Sequence, residues 1–238
     1  MKNQNIGVFL GRLQPIHNGH LSAINLALSE MDKLVIILGS GGSSKTVKNP
    51  WTSAEREKMI RSCLSETDNE RVAIVGAKDY LYSDNMWLSA IQNALTNVQF
   101  NLFSENKSEF LNLDEQNVTL YGIKRDAKLF PKYTFKEVNV TDMTATRIRD
   151  MYFHKDSLDI RDVVPEPVFE QLKSEVSTTE YNRLYDEFRH IQEYKDAWSR
   201  APFEPIFVTA DAVVIKSGHI LVVRRKGKLG KGLLALPG

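Results

Sequence analysis

The chain has 238 residues, of which 42% are hydrophobic and 26% charged, ordinary usage for a folded protein that excludes a disordered, collagen-like or membrane-embedded chain. Thirty-one Lys and Arg against 30 Asp and Glu leave a formal net charge of +1, so no global field draws in nucleic acid or an anionic membrane, and any phosphate binding has to be local. Cys63 is the single cysteine, no run approaches the roughly 20 apolar residues of a membrane span, and Arg12 interrupts the N-terminal apolar run too early for a signal peptide, which together read as a cytoplasmic protein with no membrane partner.

Up to residue 165, short apolar runs alternate with amphipathic stretches, the pattern of βα units around a mostly parallel sheet. Strands are expected over Ile6 to Leu10, Lys33 to Leu38, Arg71 to Val75, Val98 to Phe103, Val118 to Gly122 and Thr134 to Val138. Between the first two, His20 to Met31 places Leu21, Ile24, Ala27, Leu28 and Met31 on one helical face. A second helix is expected over Ser53 to Glu66, opened by a capping box in which Thr52 and Glu55 satisfy free amides. From Glu166 to Arg200 the chain is charged and aromatic, with Tyr181, Leu184, Phe188, Ile191 and Tyr194 at helical spacing and Pro202 as the stop, a helical connector. Beyond Pro205 two strands are expected, joined by a tight turn at Lys216, Ser217 and Gly218. The organisation is therefore an α/β domain over 1–165, a connector over 166–202 and the opening of a second domain over 203–238. Those last 36 residues are too few to close a core of their own, so they are expected to be incomplete at Gly238 and to expose apolar strand edge.

The chemically informative segment is Gly11-Arg-Leu-Gln14-Pro-Ile-His17-Asn-Gly19-His20, between the first strand and the first helix. A strand-to-helix turn of a parallel sheet offers free amides and the positive end of a helix dipole beyond the carboxyl ends of the strands, where anions bind. Gly11 and Gly19 let backbone approach a phosphate, Arg12 adds a permanent charge, and His17 and His20, three apart, meet on one side of the first turn. Half of a zinc site, or two capped surface groups, are the competing interpretations. The other histidines, His154, His190 and His219, are distant in sequence, and no CxxC or HExxH partner exists, so no protein metal ligand is assigned.

This segment resembles the HxGH signature of the nucleotidyltransferase superfamily in its fuller form Gly-Arg-Phe-Gln-Pro-x-His-x-Gly-His, with Leu13 in place of Phe. The resemblance implies a Rossmann-like fold, contacts from His17 and His20 to the α- and β-phosphates of ATP, and an ATP site that includes Gly11, Arg12, Gln14 and Gly19. Met143-Thr144-Ala-Thr146-Arg-Ile-Arg149 is similar to the superfamily's Ile-Ser-x-Thr-x-x-Arg signature, which implies ATP binding by Thr144 and Thr146 and a catalytic hold on the pyrophosphate leaving group by Arg149. Three further segments resemble the archaeal-type nicotinamide mononucleotide (NMN) adenylyltransferases. Asn49-Pro-Trp-Thr52 and Asn85-Met-Trp87 imply NMN binding by Asn49, Asn85 and Trp87, the indole stacking on the nicotinamide ring. Gly122-Ile-Lys124 implies an ATP contact from Lys124.

The connector and tail, through Asp211, Arg224, Arg225 and Leu236-Pro-Gly238, look like the opening of a Nudix hydrolase domain, so the whole chain resembles the bifunctional NMN adenylyltransferase/Nudix hydrolase family. That resemblance implies NAD+ and pyrophosphate as products of ATP and NMN, Mg2+ arriving with ATP, and cleavage of ADP-ribose with Mg2+ or Mn2+ by a complete Nudix domain. A homo-oligomer is left open. The box glutamates that hold metal in the family are not in this sequence, and the only acids after Phe203 are Glu204 and Asp211, so the 238 residues are expected to make NAD+ without cleaving ADP-ribose. Two alternatives stand beside this expectation: an adenylyl- or cytidylyltransferase for another acceptor, and a nucleotide-sensing regulatory module. The second finds no helix-turn-helix and no basic face to support it.

Overall fold

A computed structural model describes residues 5–80, 83–96, 98, 118–127, 130, 133–138, 143–154, 160–203, 205–206 and 208–238. The chain divides into two compact units, Met1–Ser43 with Trp51–Lys173, and Ser44–Pro50 with Ser174–Gly238.

The first unit carries β1 (Ile6–Gly11), α1 (Asn18–Glu30), β2 (Lys33–Leu38), α2 (Ser53–Ser62), α3 (Glu66–Arg71), β3 (Val72–Gly76), α4 (Asp84–Thr96), β4 (Val118–Gly122), α5 (Lys124–Ala127), β5 (Thr134–Glu137) and α6 (Ala145–Phe153), and then most of α7 (Glu166–Glu175). The five strands form one parallel sheet in the order β3-β2-β1-β4-β5. This is the Rossmann-like arrangement, in which the strand order reverses on the far side of β1 and opens a crevice beyond the carboxyl ends of β1 and β4. The central strand pairs Ile6 with Lys33 on one side and with Val118 on the other. A strand covered on both faces has no need to alternate, and β2 reads as an unbroken apolar run in which Leu34 to Ile37 are each 0% exposed. Ile6, Val8, Val35, Ile37, Ile91, Leu95 and Leu120 form the core between this sheet and α4.

Most expected elements appear, with shifted ends. Helix α1 begins at Asn18 because the His17 side chain accepts from the His20 amide, and the expected helix over Ser53 to Glu66 stops at Ser62. Ser65 then caps α3, an element the hydrophobic pattern did not announce. The Thr52–Glu55 capping box is present in both directions. Val98 is buried, and the remainder of the strand expected to Phe103 lies outside the described residues. The loop after β2 rests directly on the backbone after β3: Gly41 N donates to Ala77 O at 2.7 Å, and a Cβ on Gly41 would stand 2.9 Å from that oxygen. Only glycine fits there.

In the second unit, α8 (Thr179–Trp198) is capped by Thr178 and buries Tyr181, Leu184 and Phe188, the first three residues of the expected stripe. Tyr194, the last of them, is exposed. Arg183 pairs with Glu180 at 2.8 Å and donates to Lys45 O at 2.9 Å, while the buried Glu187 accepts from Val47 N at 3.5 Å and Gly230 N at 3.3 Å. The tail forms two separate antiparallel pairs, β6 (Ile215–Lys216) with β7 (His219–Ile220), and β8 (Val223–Arg224) with β9 (Leu234–Ala235). The expected tight turn is present and is made by Ser217 and Gly218, both at positive φ (52° and 76°), with Lys216 already in β6. The strands beside it are two residues long rather than continuous runs, and Glu204 lies outside the described residues. Among the described residues no helix is long and apolar enough to cross a membrane.

Candidate functional site

A cleft of about 780 Å³ opens at the carboxyl ends of β1 and β4, lined from β1 by Phe9, Leu10 and Gly11 and on the other side by Gly122 at the end of β4 and Ile123 just after it. The loop from β1 to α1 forms its floor. Leu13, in that loop, has a left-handed φ of 46°, and Ser40, in the loop after β2, has one of 54°. Backbone held in this region costs about 1–3 kcal/mol per residue and persists where its surroundings fix it. Here the fixing groups are visible. The Gln14 amide grips the Trp51 backbone, donating to its carbonyl at 2.8 Å and accepting from its N–H at 3.1 Å, and Asp79 accepts from Ser40 N at 3.1 Å and from the Ser40 hydroxyl.

His17 and His20 both line the cleft, with their rings stacked 3.6 Å apart at 26°. His17 is 2% exposed. Burial lowers its pKa from 6.5 to about 4, and burial followed by the neighbouring His17 lowers that of His20 to about 3. Both imidazoles are therefore neutral near pH 7. His17 Nδ1 accepts from His20 N at 3.4 Å, which leaves the ring proton on Nε2. His20 Nδ1 is closed off from solvent without a hydrogen-bond partner among the described residues.

Two buried arginines hold the loops around this pair. Arg56, 1% exposed, donates to the carbonyls of Arg12, Gly39 (2.8 Å) and Ser40 (3.4 Å) and to Ser53 Oγ (3.2 Å). Arg149, 6% exposed, donates to Gln14 O at 2.7 Å and Thr146 Oγ1 at 3.1 Å. Burial is the main cause that lowers each guanidinium to about 10. For Arg56 it is opposed by Asp79, and for Arg149 it is reinforced by Arg12. Thr144 caps α6 by accepting from Arg147 N at 3.2 Å, and Thr144, Ala145 and Thr146 form the wall on that side.

Of the residues singled out by sequence, Gly11, Arg12, His17, His20, Trp87, Thr144 and Thr146 come together on the cleft. Gln14, Gly19 and Arg149 are buried beside it, with the side chains of Gln14 and Arg149 engaged as described. Lys124 is exposed on α5 and Asn85 on α4, and neither lines the cleft. Asn49 belongs to the Ser44–Pro50 loop of the second unit, where its N–H meets Thr46 O at 3.0 Å and its Oδ1 is buried without a partner among the described residues. Trp87 sits in the first turn of α4 rather than in a loop, tilted against Phe130 at 6.2 Å. Sequence reasoning passed over Arg56, Asp79, Tyr80 and Asp84. The signal for Arg56 was its phase with Met59 and Ile60 on the buried face of α2, and for Asp84 its place three residues before Trp87. Among the described residues no group of three or more His, Cys, Asp or Glu side chains could cage a metal ion.

Residues 8–184 match the cytidylyltransferase-like family. The chain is 31% identical over 189 residues to the nicotinamide/nicotinic acid mononucleotide adenylyltransferase of Acinetobacter baylyi, covering 76% of this chain and 92% of that one. It is 34% identical over 164 residues to the nicotinamide-nucleotide adenylyltransferase of Caldivirga maquilingensis, covering 68% and 84%. Among solved structures it is similar to a bifunctional NMN adenylyltransferase/ADP ribose pyrophosphatase from Francisella tularensis, complexed with AMP and a manganese ion. The TM-score is 0.81 and the identity 31%, over 98% of this chain and 67% of that chain.

Proposed function

This chain belongs to the cytidylyltransferase-like family, and we propose that it transfers the adenylyl group of ATP to NMN, giving NAD+ and pyrophosphate. The observation that carries this proposal is the stacked, neutral His17–His20 pair at the switch point of the sheet. The phosphate of NMN attacks the α-phosphorus of MgATP in line, the bond from that phosphorus to the bridging oxygen breaks, and pyrophosphate leaves with the electron pair. The protein's work in such a displacement is positioning and neutralising charge. His17, with its proton fixed on Nε2, donates to a phosphate oxygen, and His20 lies against it in the same wall. Gly11, Arg12 and the start of α1, with Gly19, form the anion cradle. Thr144 and Thr146 face the triphosphate. Arg149 holds Thr146 and the Gln14 carbonyl, and its remaining N–H donors are assigned to the departing pyrophosphate. Trp87 offers the stacking face for the nicotinamide ring. Lys124 at the ATP site and Asn49 and Asn85 at the NMN site stay assigned by resemblance alone.

Mg2+ enters this scheme on ATP, a mode that suits an ion that keeps waters and substrate oxygens rather than a dedicated protein cage. Mass spectrometry of the products after mixing the chain with ATP, Mg2+ and each of several phosphate acceptors tests the proposal. NAD+ and pyrophosphate from NMN are expected. Exclusive transfer to another acceptor would replace NMN, and nucleotide binding without turnover would favour a sensing module. A second activity, cleavage of ADP-ribose, is proposed for a complete Nudix domain on the similarity to the Francisella protein. With Glu204 and Asp211 as the acids after Phe203, these 238 residues are expected not to cleave ADP-ribose with Mg2+ or Mn2+.

A further inference from the structure

We infer that Glu187 of α8, with Arg183 one turn before it, is a positioning residue for NMN, holding the Ser44–Pro50 loop at the same carboxylate on which the tail docks. The inference rests on the adenylyl transfer proposed above, in which Asn49 of that loop is assigned to NMN, and adds a coupling between the grip on NMN and the tail. All of these parts belong to the second unit. Residues 183 and 187 are four apart, so both side chains project from one face of α8. Arg183 Nη2 donates to Lys45 O at 2.9 Å, and Val47 N donates to Glu187 Oε1 at 3.5 Å, so the loop is gripped on either side of Thr46. Thr46 and Asn49 close the loop on itself, Thr46 N donating to Asn49 O at 3.2 Å and Asn49 N to Thr46 O at 3.0 Å. Held in this way, Asn49 keeps a buried Oδ1 with no partner among the described residues, an acceptor open to a donor on a ligand.

The other oxygen of the same carboxylate, Oε2, accepts from Gly230 N at 3.3 Å and from Arg183 Nη1 at 3.4 Å. Gly230 is buried between the exposed Leu229 and Lys231, and its φ of 61° is a turn conformation that suits glycine. The tail therefore presents a single amide to α8 at this point. Glu187 is 5% exposed. A charge buried to this degree is costly to leave short of partners, so losing one donor weakens the arrangement that binds the others. Loop and tail stabilise each other through Glu187: fixing Val47 favours the carboxylate position that also binds Gly230, and the reverse holds equally. By linkage, a ligand that orders the loop also orders the turn at Gly230.

Amide hydrogen exchange read by NMR on the unaltered 238-residue chain tests the coupling without any variant having to fold. Saturating NMN is expected to slow exchange at the Val47 and Gly230 amides together. Slowing at Val47 alone, or at neither while NMN is bound, overturns the inference and leaves adenylyl transfer in place. Steady-state kinetics with ATP, Mg2+ and NMN then compare the unaltered chain with Glu187→Gln, which removes the charge and turns an NH2 toward one of the donors, and with Arg183→Met. In both variants the KM for NMN is expected to rise roughly tenfold or more, the scale of a lost hydrogen bond to a charged group, with kcat and the KM for ATP little changed. In Glu187→Gln the Gly230 amide also exchanges faster. A purely structural role would lower the melting temperature and leave the KM for NMN where it was, and that result overturns the inference. Neither binding nor turnover of NMN by the unaltered chain overturns adenylyl transfer itself and the inference with it.

Discussion

Residues Leu34–Leu38 of strand β2 and the tail segment Ile220–Val223 are both runs of branched apolar residues, yet they end in opposite environments. The first is bonded along its whole length to β1 on one side and β3 on the other, and Leu34 to Ile37 are wholly buried. The second makes two-residue ladders, and Ile220, Leu221, Val222 and Val223 are 53, 50, 42 and 42% exposed. β-propensity describes fitness for a pleated, covered surface rather than an intrinsic drive to extend. A run becomes a strand where ladder partners and a covering layer exist, and the first unit supplies both.

If burial separates the two regions in this way, perturbations should separate them too, and the largest effect should come from pH. The folded pKa values of His17 and His20, about 4 and about 3, lie below the ordinary 6.5, so the unfolded chain binds more protons than the folded chain as pH drops below 6.5. Stability is then lost as pH falls from 6.5 toward 4, with a slope approaching about 2.7 kcal/mol per pH unit when both rings contribute. Urea melts of the first unit at pH 7, 6 and 5 measure it, and a flat profile would contradict the burial of the pair. Next, His20→Ala should lower kcat by roughly 10²–10³, about 2.7–4 kcal/mol, with a smaller change in ATP affinity. Steady-state kinetics showing near-normal turnover would reduce the stacked pair to a packing feature. Arg56→Ala leaves the carbonyls of Arg12 and Gly39 unbonded in the interior and should destabilise the first unit by about 2–3 kcal/mol. A thermal melt reads it directly. Smallest is Ile215→Ser on the exposed β6, expected to shift stability by less than about 0.5 kcal/mol. A larger loss would show that the tail is packed after all.

The same contrast explains what was legible in the sequence. The parallel sheet, α1 and the Thr52–Glu55 box rest on local patterns, an apolar run, a 3.6-residue period and two side chains three residues apart, and all are present. The His17–His20 pair was legible for the same reason, because its spacing within one helical turn fixes the meeting of the rings. Helix α3 was missed because it buries no residue, so that only the Ser65 and Asp68 cap could have announced it. The role of Arg56 was hidden because its acceptors, the carbonyls of Arg12 and Gly39, come from loops that only the fold brings to it. The place of Asp84 on the cleft was hidden because the stretch before Trp87 was read as a loop, where phase has no meaning. Once α4 begins at Asp84, helical phase puts it, rather than Asn85, on the side of Trp87.

The position of β1 in the middle of its sheet also sets an order of assembly. Its pairing with β2 joins Ile6 to Lys33, a short loop that closes early, whereas its pairing with β4 joins Ile6 to Val118 across roughly 110 residues of chain. During synthesis the N-terminal half can collect β1, β2 and β3 while one edge of β1 still lacks its neighbour. The wall that β4 contributes to the cleft therefore forms late, and the His17–His20 turn, which emerges before β4 and β5, waits on these last strands of the sheet before it faces a closed crevice.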